Sequence, residues 1–587
     1  MQFFGTIQAM DKKSSRWFDS VYEFTETLLA IPSASPGAEG ENRCAEKIAE
    51  LLAADRDALQ SIFWDTGDGR KNIACLLKSR NPNNSGKTTV LMSHFDTVGV
   101  DAFGRFGDAN LAFRPAELAE AMRTSLKGKR RDASEESSFR VLESDEWMFG
   151  RGSVDMKSGV AVNIALMREF ARPRDDGTRL IDELAGNLLF LSCPDEETES
   201  AGILSAVPEL LKLREREGLV YLGVVNTDYT APRDEDESAR FIYSGTIGKL
   251  LPSFYILGVR THVGEVFRGV DAAHIAAELV SRINLNAEWI DAWRGSLGGE
   301  EITEVAPPPV ALQMRDLKPS YNVETAGDAF VYVNWLTLTM TPEQAMQKMK
   351  DTARAALESV REAVDEAYRK FESLGGQAQP PPATTGQVLD YETLLREAEV
   401  RWRAANQAGD FSGWVSAKAD EFAKTAKDTR DLSRMLIAEL VSVAQIGGPA
   451  VVVFFSPPYY PSVMPQENEL TRAVRSALKE QDQPIQLRGF YPYISDLSCV
   501  RLDDGIEVTS VKKNMPLFDL RDAAHALFYA LDSAKLNDIR ALGCPVVNIG
   551  PFGSDAHGLY ERVHMPYSFE TVPQLIFDTI CNTLTAA

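Results

Sequence analysis

TTVLMSHFD (residues 88–96) is a short run of apolar residues that ends in a histidine and an aspartate. NLLFLSCPDEE (187–197), VYLGVVNTD (220–228) and PVVNIGPFGSDAHG (545–558) repeat this arrangement, with acidic or imidazole side chains beyond the apolar run. Short, continuous apolar runs are typical of strands that are buried on both faces of a parallel sheet. The four stretches therefore predict an α/β fold with a central, mostly parallel sheet.

The polar residues beyond these runs are candidates for one functional site. Open α/β sheets bind their ligands beyond the carboxyl ends of the strands, where such residues meet. A fifth segment, GRGSVDMKSG (150–159), puts a further aspartate in a glycine-rich turn before a predicted helix over 160–170. The candidate residues are His94, Asp96, Asp155, Glu196, Glu197, Asp228 and His557.

Two imidazoles and several carboxylates form a nitrogen and oxygen donor set that suits zinc, and also manganese or cobalt. Each piece alone says little, because an isolated HxD or Glu-Glu pair is usually an ordinary surface feature. Together, the number of carboxylates indicates two divalent ions, as in the two-metal sites of aminopeptidases, where the ions lie roughly 3.5–4 Å apart. His564 is an alternative to His557 as the second imidazole.

A different pattern separates the third apolar run from the fourth. Thr341-Pro342-Glu343-Gln344 is a helix-capping sequence that opens a charged helical stretch to about Leu374. A second helical stretch covers roughly 390–445, and AVVVFF (450–455) is typical of a strand. The predicted division is a catalytic domain over 1–247 and 463–587, an inserted α+β domain over 248–462 with extra helices at about 340–445, and a surface insertion over 101–145.

Composition and charge limit the partners. The 587 residues carry a formal net charge of -23, which argues against nucleic acid and against an anionic membrane, since both require a basic surface. No run of about 18 apolar residues predicts a membrane span, and residues 1–20 lack the apolar core of a signal peptide. Six scattered cysteines indicate a reducing compartment. We expect a cytoplasmic enzyme with a small-molecule substrate.

As a set, the motifs resemble the co-catalytic zinc peptidase and amidohydrolase family of carboxypeptidase G, aminoacylase, peptidase T and succinyl-diaminopimelate desuccinylase. They follow the order of that family and span most of the chain. FFSPPYYP (454–461) and YPYISDLS (491–498) are most similar to its large arginine-utilisation (Roc-type) branch. The matching motifs are SHFDTV (93–98), FGRGSVDMKSG (149–159), PDEETESAG (194–202), NTD (226–228), GTIGK (245–249), GVRTHVGEVFRGVDAA (258–273) and AHGLYERV (556–563).

The resemblance implies a role for each candidate residue. Asp96 orients the ring of His94 through its second nitrogen. Glu196 is the general base, which takes a proton from the shared water and passes it to the leaving amine. His262, from the inserted domain, approaches the substrate carbonyl and stabilises the developing negative charge. In the implied two-zinc site, His94 and Asp228 hold one ion, Glu197 and His557 hold the other, and Asp155, followed by a cis peptide bond, bridges both.

Dimeric members of the family take the inserted-domain histidine from the neighbouring chain, so we expect a homodimer through the inserted domain. The alternative is that His262 is a surface residue at the end of a strand. The family's inserted domain usually carries an Asp-x-Arg pattern, which this chain replaces with Asn334-Trp335-Leu336. The resemblance therefore assigns no residue to the substrate carboxylate. His274 and His525 lie in alanine-rich helical patterns and are predicted to be structural.

The predicted activity is metal-dependent hydrolysis of a C–N amide bond in an N-acyl or carbamoyl amino acid or a short peptide. The Roc-type resemblance points to arginine catabolism. A catalytically inactive amino-acid-binding or sensor protein on the same fold is the alternative from another class. A single-metal aminopeptidase of a related fold is a third possibility, which would leave one histidine–carboxylate pair unused. The presence of all five implied ligands and of Glu196 favours the two-metal enzyme.

Overall fold

A computed structural model describes residues 16–54, 58–128, 131–232, 239–382, 386–406, 409–481, 484–504, 506, 508–520 and 531–585. Its helices are α1 (Phe18–Leu29), α2 (Ala38–Ala53), α3 (Pro115–Leu126), α4 (Ala133–Leu142), α5 (Lys157–Phe170), α6 (Ala201–Glu217), α7 (Ala272–Ile283), α8 (Pro342–Ser373), α9 (Tyr391–Asn406), α10 (Phe411–Ala423), α11 (Thr429–Ala444), α12 (Glu469–Leu478), α13 (Thr509–Asn514), α14 (Ser533–Leu542) and α15 (Val572–Leu584). Its strands are β1 (Ser61–Asp65), β2 (Lys71–Leu77), β3 (Lys87–His94), β4 (Trp147–Phe149), β5 (Asn187–Cys193), β6 (Val220–Asn226), β7 (Arg240–Tyr243), β8 (Gly248–Leu250), β9 (Pro252–Leu257), β10 (Ala292–Leu297), β11 (Glu300–Val305), β12 (Val310–Asp316), β13 (Asp328–Thr337), β14 (Gln387–Asp390), β15 (Ala450–Phe455), β16 (Ile485–Arg488), β17 (Val546–Asn548), β18 (Gly553–Ser554) and β19 (Arg562–His564).

Among the described residues, the larger sheet contains eight strands in the order β1-β2-β5-β3-β6-β17-β7-β16. The four apolar runs of the sequence form its central strands β5, β3, β6 and β17, which lie side by side and run parallel. The antiparallel pairs are β1 with β2, β2 with β5, and β17 with β7. The predicted α/β fold with a mostly parallel central sheet is confirmed.

Helices cover both faces of this sheet. Because successive side chains of a strand point to opposite faces, Leu91 of β3 enters one core with α1, α2, α5, α12 and α15. Its neighbours Val90 and Met92 enter the other core, together with α6 and α14. Burial on both faces explains why the runs are continuously apolar, without the alternation of a half-exposed strand.

A second sheet has the strand order β12-β13-β9-β15-β14, and β8 pairs with the end of β13. Helices α7 and α8 pack on one face, against side chains such as Ile256 and Val331. Helices α9, α10 and α11 pack on the other face, against Tyr255, Phe330 and Phe454. The extra helices therefore bury an aromatic surface that would otherwise be in contact with water. Helix α8 begins with the predicted capping box at Thr341.

The stretch 101–145, predicted as a surface insertion, contains α3, α4 and two short 3₁₀ helices with a small apolar core of their own. This core packs against β4 and Tyr560, so the segment is a folded addition beside β4 rather than a plain loop. His274 is exposed on α7, and His525 lies outside the described residues. Within the ranges given above, none of the helices is both long and apolar enough to cross a membrane.

Candidate metal centre

The polar residues that follow β3, β5, β6 and β17 meet at one edge of the large sheet. The four strands are parallel neighbours, so their carboxyl ends lie together. His94 is the last residue of β3, Glu196 and Glu197 follow β5, and Asp228 follows β6. His557 reaches the same edge from the segment between β18 and β19.

Asp155 is the centre of the arrangement, since two groups of potential metal ligands share it. Asp155 with His94 and Asp228 forms one group, and Asp155 with Glu197 and His557 forms the other, and within each group the ligand atoms all lie within 4.8 Å of one another. Asp155 Oδ1 is 3.2 Å from His94 Nε2, and Oδ2 is 3.1 Å from His557 Nε2. Each carboxylate oxygen thus faces one group. The Asp155–Met156 peptide bond is cis, as the resemblance implies.

Asp96 contacts both His94 and the loop that carries the two glutamates. Its Oδ1 lies 3.4 Å from His94 Nδ1, on the side of the ring opposite Asp155. Glu196 and Glu197 each donate a backbone N–H group to the Asp96 carboxylate, at 3.1 Å. The orienting contact was predicted from the sequence, whereas the second contact, which ties the Glu196–Glu197 loop to β3, was not.

Glu196 lies beside the two ligand groups but belongs to neither. Its Oε2 is 3.9 Å from His94 Nε2. Burial raises the pKa of the Glu196 carboxyl group well above its usual range, and the charges of Asp228 and Asp496 add to this effect. A carboxyl group in such surroundings holds a proton readily, which is the property required of a general base that must later act as an acid.

The structure does not bring the two remaining candidate histidines to this centre. His262 is exposed, and its Nδ1 accepts a hydrogen bond from the backbone N–H of Gly264, at 3.0 Å. His564 packs edge-on against Trp147, with ring centroids 5.0 Å apart, and its Nε2 lies 3.9 Å from Glu146. Of the two alternatives for the second imidazole, only His557 lies in a ligand group among the described residues.

An ion pair that the sequence did not reveal joins the Asp155 turn to the His557 segment. Arg151 is bonded to Glu561, and both side chains are buried. Glu561 Oε1 accepts the backbone N–H group of Asp155 at 3.4 Å, and Arg151 Nη2 donates to the His557 carbonyl at 3.0 Å. The pair therefore fixes two segments that are 406 residues apart in the chain.

Close backbone contacts hold the other ligands. Asn548 Nδ2 donates to the Asp228 carbonyl at 2.8 Å. A Cβ atom on Gly550 would lie 1.7 Å from that carbonyl, so only glycine fits there. On the other side, Asp195 has a left-handed φ of 69° just before the two glutamates, and its carboxylate is bonded to the buried Arg70. These contacts fix the backbone of Asp228 and the start of the Glu196–Glu197 loop.

Several residues near the centre were not identified from the sequence. Asp496 is buried, burial raises its pKa to about 7, and its Oδ1 has no hydrogen-bond partner among the described residues. The rings of Tyr229 and Tyr493 stack with centroids 5.0 Å apart, and the Tyr491 hydroxyl donates to the Tyr229 carbonyl at 2.8 Å. The one sequence signal for these residues was the stretch YPYISDLS (491–498), which resembles the Roc-type branch.

The donor set fits two divalent cations. Glu197 Oε1 is buried and, in the part of the chain that the structure describes, has no hydrogen-bond partner. Burial and then the charge of Asp155 raise the pKa of Asp228 to about 7. Hydrogen bonds to Asp155 and Glu197 raise the pKa of His557 to about 10. So many carboxylates in a buried space require positive charge, which two ions would supply.

Comparison with known proteins gives consistent matches. A model of Peptidase family M20/M25/M40 matches residues 130–502. The uncharacterized protein YqjN of Bacillus subtilis (strain 168) is 32% identical over 570 residues, and 95% of each chain is covered. The protein RocB of the same organism is 30% identical over 584 residues, which cover 96% of this chain and 95% of RocB. A succinyl-diaminopimelate desuccinylase of Dechloromonas aromatica (strain RCB) is 27% identical over 196 residues, which cover 31% of this chain and 46% of that protein.

Proposed function

Because this chain belongs to peptidase family M20/M25/M40 and is a metal-dependent hydrolase of that family, we propose that it cleaves a C–N amide bond in a small amino-acid-derived substrate with two zinc ions. The observation that carries the proposal is the pair of ligand groups that share Asp155. In this proposal His94 and Asp228 hold one ion, and Glu197 and His557 hold the other. When bound, the ions would polarise the substrate carbonyl and lower the pKa of the attacking water.

Glu196 is the proposed general base. Its carboxylate lies next to His94 without joining a ligand group, so it is free to accept a proton from the attacking water. Its buried position favours the protonated form that then delivers the proton to the leaving amine. Asp96 keeps the base in place, because the backbone N–H groups of Glu196 and Glu197 both donate to it.

The proposed substrates are N-acyl or carbamoyl amino acids and short peptides, with arginine catabolism as the setting. The similarity to RocB along nearly the whole chain supports the Roc-type branch. The partial similarity to a desuccinylase supports an acylated amino acid as substrate. Reduced cysteines support the cytoplasm, since all six are free thiols and five of them are buried. Amine release from a panel of such amides, measured with zinc-loaded protein, tests the proposal, and no turnover of any amide would contradict it.

We expect zinc to stabilise the folded protein against heat. Ions that bind only the folded chain contribute about 4 kcal/mol at a free concentration roughly 1,000 times Kd. Differential scanning fluorimetry of chelator-treated protein should therefore show the apparent Tm rising by several degrees on addition of zinc. The exposed His274→Ala variant should keep the full rise, and His557→Ala should lose the part contributed by the ion that His557 holds. An equal rise in both variants would contradict the role of His557.

We also propose that residues 248–462 form an inserted lid and dimerisation domain on a catalytic domain of 1–247 and 463–587. Strand β12 supports this, since it is an edge of the second sheet and exposes Val310, Leu312 and Met314. An apolar edge of this kind is suited to pairing with a second copy. The exposed position of His262 supports its action in the neighbouring subunit.

Mixed dimers test whether His262 acts across subunits. Glu196→Gln and His262→Ala chains should each be nearly inactive, the latter by about 10²–10³-fold through lost stabilisation of the oxyanion. Co-expression of the two should restore about a quarter of the wild-type activity, because half of the dimers are mixed and each mixed dimer has one complete site. Light scattering must give twice the 64.8 kDa chain mass as a control. Absence of any recovery in mixed dimers would exclude action in the partner.

A further inference from the structure

Lys249 is held firmly in place beside the metal centre by its backbone. It lies in β8, opposite Leu336 of β13. On its other side, its N–H group donates to the Tyr460 carbonyl at 2.8 Å, and its carbonyl accepts the Tyr460 N–H group at 3.1 Å. The Tyr460 hydroxyl in turn shares a hydrogen bond of 3.1 Å with Ser200 Oγ, close to the Glu196–Glu197 loop. The backbone of Lys249 is therefore fixed by strand-like contacts on both sides.

The Lys249 ammonium group has no partner of its own within the described ranges: no hydrogen bond or ion pair joins it to another side chain. The charges that act on it are those of Arg430, Glu199 and Glu196. Burial, and then the positive charge of Arg430, lower the pKa of Lys249. Glu199 and Glu196 raise this pKa, but among the described residues neither forms an ion pair with Lys249, so a bound anionic group would be its first close counter-ion.

Helix α11 adds a second cation. Arg430 lies in its first turn, and Nη1 is 3.4 Å from Glu199 Oε1 while Nε is 3.3 Å from Asp428 Oδ1. Glu199 Oε2 is buried without a hydrogen-bond partner among the described residues, so this oxygen is enclosed by protein. Lys249 and Arg430 are thus two cations near the residues that follow the Glu196–Glu197 loop, and two acids, Glu199 and Asp428, already face Arg430.

We propose that Lys249 and Arg430 form the subsite that binds a carboxylate group of the substrate, next to the general base Glu196. The proposal rests on the proposed amide hydrolysis and adds the residues that select the substrate. A carboxylate has two oxygens, so one can accept from the ammonium group and the other from the guanidinium group. The strand position where the family carries Asp-x-Arg offers no substitute, because Leu336 stands in place of the Arg and its apolar side chain cannot donate a hydrogen bond to a carboxylate.

The test compares acylated amino acids that have a free carboxylate with the same compounds as carboxamides. In the zinc-loaded wild type, kcat/KM for the carboxylates should exceed that for the carboxamides. Lys249→Met and Arg430→Gln should each reduce this ratio about 10- to 100-fold, mainly through KM, as expected for the loss of one charge-assisted hydrogen bond. Lys212→Met, an exposed lysine on α6, should keep the ratio.

Other outcomes would overturn the subsite. Equal hydrolysis of the carboxylates and the carboxamides by the wild type would overturn it. An equal loss of kcat/KM for both forms in Lys249→Met, with a shifted pH profile of kcat, would also overturn it, because Lys249 would then act on Glu196. Because Lys249 and Arg430 lie on separate elements, a folding defect in one variant leaves the other as the test. If no compound is hydrolysed, the proposed function fails, and calorimetry then tests the subsite alone. Binding of the carboxylates to the wild type, with loss of that binding in Lys249→Met, supports the subsite. Absence of binding to the wild type refutes it.

Discussion

Replacing Glu196 by Gln is expected to lower kcat about 10³-fold while the protein still binds two zinc ions, because general acid–base catalysis contributes roughly 10²–10⁴ to such rates. Glutamine has nearly the same shape and keeps the backbone N–H bond to Asp96. It cannot accept the proton of the attacking water. The measurement is steady-state kinetics on the best amide of the panel, together with metal content by plasma mass spectrometry.

The matched control is Glu215→Gln, an exposed glutamate on α6, which should retain wild-type turnover and metal content. Loss of zinc from Glu196→Gln would mean that Glu196 is a ligand. Undiminished turnover with full zinc content would refute the assignment of Glu196 as the base and would direct attention to the neighbouring Asp496.

Replacing Asp155 by Asn is expected to have the largest effect, with loss of both metal ions and of all measurable turnover. The two oxygens of Asp155 face His94 and His557, at 3.2 and 3.1 Å, so the residue serves both ligand groups at once. An amide keeps one oxygen and removes the negative charge that two divalent ions require. Metal content after zinc loading and exhaustive buffer exchange measures the effect.

Asp101→Asn, at an exposed position, is the control for the Asp155 variant and should bind two ions. Circular dichroism should show that the metal-free Asp155→Asn protein keeps the wild-type secondary structure, so that metal loss is separated from unfolding. Two tightly bound ions in Asp155→Asn would show that the two groups do not share this residue. One remaining ion would favour a single-metal centre.

Much of the fold could be predicted because the deciding signals are local. Each central strand is a continuous apolar run, and burial on both faces produces that pattern directly. The residues beyond the runs could be grouped because the carboxyl ends of parallel neighbours meet. His94, Asp228 and His557 were identified in this way, and the family resemblance added the distribution of roles. Helix α8 was predicted from its capping box, whose effect depends on four adjacent residues.

The residues that shape the site around the ligands were not predictable, because their partners are distant in sequence. Arg430 is part of a charged helix that resembles any solvated helix face, and only the packing of α11 on the second sheet brings it near Glu199. Lys249 lies within a family motif, but its lack of a partner is visible only in three dimensions. Arg151 pairs with a residue more than 400 positions away. Strands β7 and β16 have four residues each, and neither gave an apolar run long enough to predict.

The position of β17 has a consequence for the synthesis of the protein. This strand of three residues lies between β6 and β7, and the bond from Asn548 to Asp228 spans 320 residues. At translation rates of about 5–20 residues per second, a nascent chain waits roughly 15–60 s between making β6 and making β17. During that time the place of β17 is empty, and the edges of β6 and β7 that face it are unpaired. Unpaired strand edges are sites for wrong pairing between chains. Completion of the sheet, and with it zinc loading, is therefore a late event in synthesis, and an excess of chaperone during expression should raise the soluble yield.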